Sequence, residues 1–301
     1  MMVRQDSPGN DEAQLLPEPF WTADRASVDG QRMTIRWYRW QILLLVGAAV
    51  VSVFPGQYTP LLSVAAFLGA GYCWYRLRNA NPQGRWHEAR AAAESIKTLA
   101  WKYAVRARPF DGAAASAEAE NLYLLQAGDV LRAFEDPEII PAGSRPDITP
   151  AMRELRAAPL AVRRTRYLVS RVDNQRVWYR SRAEACESQS ASWSLAIGAL
   201  LILGCASAVA EGVGAVSFPA FAAFAAAAAA VIAWTQLKQL RPLAAAYLLA
   251  AKELELVSGQ LSVMDLTARD AESTWSKLSA DAEEAVSREH TTWRARRAFP
   301  R

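Results

Sequence analysis

Residues 191–234 read ASWSLAIGALLILGCASAVA-EGVG-AVSFPAFAAFAAAAAAVIAW, two apolar runs (191–210 and 215–234) joined by Glu211, Gly212, Val213 and Gly214. Neither run contains Lys, Arg, Asp or Glu. A helix crosses a hydrocarbon layer of about 30 Å in roughly 20 residues, and each run is long enough. The second run is mostly alanine from 220 to 230, which lipid alone would hold weakly. Small side chains let helix backbones approach closely, so this stretch is expected to pack within a bundle. The spacings Ala65/Gly69 and Gly204/Ala208 are read in the same way, as packing.

A second pair of apolar runs lies nearer the N-terminus. Residues 42–54 are preceded by Trp37, Tyr38 and Trp40, and 61–72 continue through Trp74 and Tyr75. Both cores are short for a bilayer, but Trp and Tyr sit favourably at the headgroup boundary and supply the missing length. Between them Pro55, Gly56 and Pro60 mark a tight turn, with Pro60 suited to the first turn of a helix. A soluble hairpin buried in a protein core is the alternative for this pair.

Orientation follows from the basic residues. Arg32, Arg36 and Arg39 precede the first run, and Arg76, Arg78 and Arg85 follow the second. Arg180 and Arg182 precede the third, and Lys238 and Arg241 follow the fourth. Neither turn carries Lys or Arg. The expectation is therefore four transmembrane helices as two hairpins entering from one side, with both termini cytoplasmic.

The chain has 301 residues and a net charge of +4, too modest to argue for nucleic acid. Cys73, Cys186 and Cys205 form no metal or redox spacing and no disulfide framework, consistent with a reducing compartment. His87 and His290 each neighbour a glutamate, without a ligand or nucleophile arrangement. No enzymatic activity, metal or cofactor is expected. Residues 1–24 carry acids and prolines without an apolar signal core and are read as a disordered tail.

The polar blocks read as amphipathic helices. From 85 to 103, Ala92, Ile96, Leu99 and Tyr103 form one stripe, and 116–134 is expected to be a second helix capped by Ser116. The prolines at 137, 141, 146 and 150 mark a linker over 136–150, with Thr149-Pro150 as a helix start. A long helix from 151, kinked by Pro159, leads to the third run; 243–261 and a heptad-like helix from about 267 follow the fourth. Arg163, Arg164 and Arg166 read as a solvated face, with anionic headgroups as the alternative. The stretch 92–96 aligns with 250–254, so a two-span unit is duplicated in the same orientation. The boundaries read from this are 25–135 for the first module and 151–301 for the second. The fold class expected is all-α and integral to the membrane, with long cytosolic helices forming a helical bundle.

Residues 92–103, AAESIKTLAWKY, with Arg108-Pro109-Phe110 closing the segment, resemble the bacterial SLATT domain, the SMODS- and SLOG-associating two-transmembrane effector. Residues 167–193, containing RVDNQRVWY at 171–179, look like a second module, and REHTTW at 288–293 resembles its end. The positions carrying the likeness are Trp86, Arg90, Glu94, Lys97, Trp101, Tyr103 and Phe110, then Gln175, Trp178 and Tyr179, then Glu289, His290 and Trp293. From the residues themselves, Glu94 and Lys97 read as helix-surface or intersubunit contacts, and Trp86, Trp101, Trp178 and Trp293 as core packing.

The resemblance implies a homo-oligomeric effector of a bacterial antiphage defence system, in the inner membrane, that forms a pore or disrupts the bilayer on activation. Its trigger would come from a separately encoded sensor or nucleotide-signal enzyme. Charge-free spans argue against a proton-coupled transporter and permit a hydrophobic gate. Glu211 is the candidate pore-mouth residue, against a plain solvated loop position. A non-conducting membrane scaffold that recruits cytosolic partners is the alternative function.

Overall fold

The computed structural model describes residues 10–112, 117–134, 139, 144, 146–216 and 220–297, with side chains for 11–284 of these. Among the described residues every regular element is helical: α1 (Asn10–Leu15), α2 (Glu18–Val51), α3 (Thr59–Ala80), α4 (Pro82–Val105), α5 (Ala117–Ala133), α6 (Pro150–Ala157) and α7 (Leu160–Tyr167). A π-helical turn, Leu168–Asp173, leads into α8 (Asn174–Gly212), followed by α9 (Ala220–Lys238), α10 (Leu240–Ser262) and α11 (Ala271–Arg297).

Two compact units result. The first gathers described residues of Met1–Asp29, Gly84–Ser181 and Tyr247–Arg301; the second is Gly30–Gln83 with Arg182–Ala246. Compactness thus follows polarity and not the chain order of two modules over 25–135 and 151–301. The reason is that the amphipathic stripes of both halves share one core. Ala92, Ala93 and Ile96 of α4 and Ala251 and Leu254 of α10, positions equated by the repeat, are all buried in it.

The core of the first unit is aromatic. Trp101 and Trp275 each meet Tyr167 edge-on, at 5.7 and 5.8 Å between ring centroids, and Tyr103 contacts Phe110 and Tyr123. Residues 10–24, expected as disordered tail, are instead part of this unit, and 1–9 lie outside the described residues. Leu15, Leu16, Phe20 and Ala23 are buried in the core. Their apolar surface outweighs the local acids, and Thr149 Oγ1 donates to the Leu15 carbonyl at 3.1 Å.

The 136–150 linker lies mostly outside the described residues, as does the Ser116 cap. Thr149 caps α6: its backbone is extended and its hydroxyl accepts from the Met152 N–H at 3.2 Å. The long helix expected from 151 is broken at Ala158 and Pro159, because proline cannot donate to the helical ladder and restricts the residue before it.

The second unit contains two hairpins. Leu160–Gly212 and Ala220–Ser262 each hold a stretch long and apolar enough to cross a membrane, and only 6% of either stretch is buried. A soluble core helix would be mostly covered. The first hairpin, in α2 and α3, does not reach the same apolarity, since Trp, Tyr and Arg enter any window of sufficient length. It nevertheless leaves Leu43, Phe54, Leu61, Leu62, Phe67 and Leu68 exposed. Its helices approach at Gly69, where an added Cβ would lie 3.1 Å from Leu44 Cδ1.

Both turns are short. Pro60 sits in the first turn of α3. α8 ends in a Schellman motif: Ala215 N–H donates to the Ala210 carbonyl at 2.9 Å and Gly214 N–H to that of Glu211 at 3.0 Å. Gly214 has φ 72, a left-handed conformation that glycine adopts without steric cost. The fourth run was expected from 215; α9 begins at Ala220, and 217–219 lie outside the described residues.

Candidate functional site

Among the described residues, charged side chains are concentrated inside the first unit. Arg171 is 1% exposed and Glu283 0%. Arg171 lies in the π-helical turn, and such turns recur at functional sites because they re-aim a side chain. Its Nε and Nη2 donate to the two Glu283 oxygens at 3.0 and 2.9 Å, a bidentate pair. Tyr167 Oη donates to Glu283 Oε1 at 2.9 Å. Burial works against the Arg171 charge, yet the adjacent Glu283 carboxylate holds its pKa above the ordinary value. Burial, then the Glu283 charge, pushes the Tyr167 phenol well up, so it remains a donor.

A second anchor comes from α1. Glu12 Oε1 accepts from Trp101 Nε1 at 3.0 Å, pairs with Lys97 Nζ at 2.9 Å, and lies 4.0 Å from Arg171 Nη1. Arg90 pairs with Glu94 at 2.6 Å. Glu94 and Lys97, expected on a helix surface or between subunits, are therefore buried within one chain. The half-buried Asp24 carboxyl is raised above 3.8 by burial and by Glu94, against the pull of Arg90 and Lys97.

The C-terminus of α4 is enclosed by cations and donors. Arg106 takes the left-handed conformation, with φ 62, and Ala107 N–H reaches back to the Lys102 carbonyl at 2.9 Å. Arg156 Nη1 donates to the carbonyls of Tyr103 and Phe110, both at 2.9 Å. Val105 O accepts from Arg163 Nη1 at 3.0 Å and Trp275 Nε1 at 2.7 Å. These groups satisfy carbonyls that a helix end leaves without partners, and they complement its negative dipole end. Arg163, expected on a solvated face, is fully buried and also pairs with Glu272. The cost of that burial is offset because each guanidinium nitrogen donates to an oxygen, Nε to the Ala158 carbonyl at 3.0 Å, Nη1 to that of Val105 and Nη2 to Glu272.

Of the positions that carried the resemblance, Glu94, Lys97, Trp101, Tyr103, Phe110 and Tyr179 are buried in this unit. Trp86 stacks on His87 at 4.6 Å, and Trp178 contacts Tyr179 and Tyr247. Arg90 and Gln175 are half-buried. The side chains of Glu289, His290 and Trp293 lie outside the described residues. Glu211 is exposed at the end of α8, its carbonyl in the Schellman motif. The arrangement holds helices in register; among the described residues no group of three or more His, Cys, Asp or Glu is placed to hold a metal ion. Glu12, Arg156, Arg171 and Glu283 were not singled out from the sequence.

Among the described residues, two long, apolar and largely uncovered helices suggest a membrane protein. Residues 17–164 match the family described as SMODS and SLOG-associating 2TM effector domain 3, and residues 167–293 match SMODS and SLOG-associating 2TM effector domain 1. The chain belongs to the SLATT family and carries two of its domains in tandem. The two matches meet between 164 and 167, within or beside α7, and not at the proline-rich stretch. SLATT domains are associated with effectors of bacterial conflict and defence. Comparison with curated proteins and with solved structures returned no match.

Proposed function

We propose that this protein is an oligomeric defence effector whose two hairpins both span the bacterial inner membrane and form a conducting pathway on activation. The observation that carries the reading is the uncovered apolar surface of the hairpins. Two matched domains of the two-transmembrane type support four spans. The distribution of arginines supports cytoplasmic termini. Two hairpins are too few to enclose water, so several copies line the pathway. The bundle is the surface on which a separately encoded sensor or nucleotide-signal enzyme acts.

Glu211 stands at the far-side end of α8, where the helix dipole is also negative. In a ring of subunits this combination favours cations. Purified full-length protein in a planar bilayer under voltage clamp is expected to pass current, and Glu211→Gln is expected to lower cation over anion selectivity. Expression in bacteria, alone and with the enzymes encoded beside it, is expected to collapse the membrane potential in at least one combination. A folded oligomer that stays silent in all of them is a scaffold, and the conducting reading fails.

A further inference from the structure

We propose that the base of the first hairpin binds the phosphate of an anionic phospholipid headgroup, in a site shared by α2 and α3. This rests on the reading that the first hairpin is membrane-embedded. Residues 30–83 contain Arg32, Arg36, Arg39, Arg76 and Arg78 but no Asp or Glu. Three of these arginines lie against indole rings. Arg36 Cζ is 6.0 Å and Arg76 Cζ 5.5 Å from the Trp37 ring centroid, and Arg78 Cζ is 5.8 Å from that of Trp74. Tyr72 closes the cluster, edge-on to Trp37 at 5.9 Å.

Arg36 comes from α2 and Arg76 from α3, so two guanidiniums from facing helices converge on one ring. Two like charges so close to one ring repel, and an anion held near them offsets that cost. Stacking leaves the in-plane N–H groups of each guanidinium free to point outward, and phosphate oxygens match that fork. The Trp37 indole N–H is shielded from solvent and has no acceptor among the described residues. The site therefore offers donors from two arginine side chains and, within 30–83, no carboxylate to compete for them.

Position selects a lipid as the source of the phosphate. The cluster adjoins Trp40, Trp74 and Tyr75, which are exposed, and Leu43, Phe67 and Leu68 continue the exposed apolar surface along the same hairpin. Basic pockets between membrane helices on the cytoplasmic side are where anionic headgroups bind. The second hairpin differs in chemistry: Glu184 and Glu187 lie beside its basic flank, and Arg241 Nε donates to Ser190 Oγ at 3.3 Å.

The test uses the full chain in neutral detergent, with phosphatidylglycerol and phosphatidylcholine supplied in equal amounts and bound lipid read by native mass spectrometry. Wild type is expected to retain phosphatidylglycerol over phosphatidylcholine by roughly tenfold or more. Arg36→Gln with Arg76→Gln should abolish that preference, and Trp37→Phe should reduce it. Arg32→Gln with Arg39→Gln removes the same charge from the same hairpin and should leave most of it. Equal loss in both double variants would show diffuse attraction and overturn the site, as would the absence of preference in wild type. Inorganic phosphate displacing the lipid stoichiometrically would overturn the lipid as occupant. The readout is independent of conductance: an electrically silent protein that still selects phosphatidylglycerol refutes the pore and keeps this site.

Discussion

Arg171 and Glu283 stand 112 positions apart and meet where water is excluded. Removing one partner of such a pair strands a charge in a poor solvent, which costs about 3–5 kcal/mol. Glu283→Gln is therefore expected to lower the unfolding temperature of the first unit markedly, while Arg171→Met combined with Glu283→Leu recovers most of the loss; circular dichroism in detergent reads both. Asp24 responds to pH with the opposite logic to a salt-bridged acid. Its folded pKa is raised, so its contribution to stability is fully present below 3.8 and is lost as pH rises through the folded value. Asp24→Asn should stabilise the protein at neutral pH, by an amount that shrinks on acidification; a constant difference between pH 4 and 8 would contradict this. None of these partners could be matched from sequence, because pairing across such separations leaves no local pattern. Glu12 was hidden differently: the acids around it disguised the spacing of Leu15, Leu16, Phe20 and Ala23 as a solvated tail.

Helix boundaries were readable wherever a residue type has a single backbone use. Thr149-Pro150 announced a capped start, Pro159 an interruption, and Pro60 the opening of α3, and each does what its chemistry requires. The Schellman turn at Gly214 was readable only as a short link, since its two hydrogen bonds depend on geometry and not on composition. Gly214→Ala forces an L side chain into the left-handed region at about 1 kcal/mol, whereas Gly212→Ala, with nothing within 4 Å of the added Cβ, should be neutral or slightly stabilising. Thermal unfolding of the two variants side by side checks the difference. The π-helical turn had no signature in the sequence. It carries Arg171, whose partner Glu283 lies in a distant element.

The separation of the chain into an apolar and a polar unit was readable because lipid and water impose different periodicities on a helix. The compact units do not follow the order of the two modules, since one core is assembled from both halves of the chain. With Cys73, Cys186 and Cys205 replaced by alanine, single cysteines at Tyr58 and Val213 should react with a membrane-impermeant maleimide from outside spheroplasts; protection of Tyr58→Cys until lysis would remove the first hairpin from the membrane. The position of Glu283 in the chain has a consequence for biosynthesis. On the proposed four-span topology, both hairpins leave the ribosome before α11 does, so the greasy segments reach the bilayer while Arg171 still waits, hydrated, for its counterion. A message truncated upstream of that codon would yield the same hairpins and an unclasped bundle.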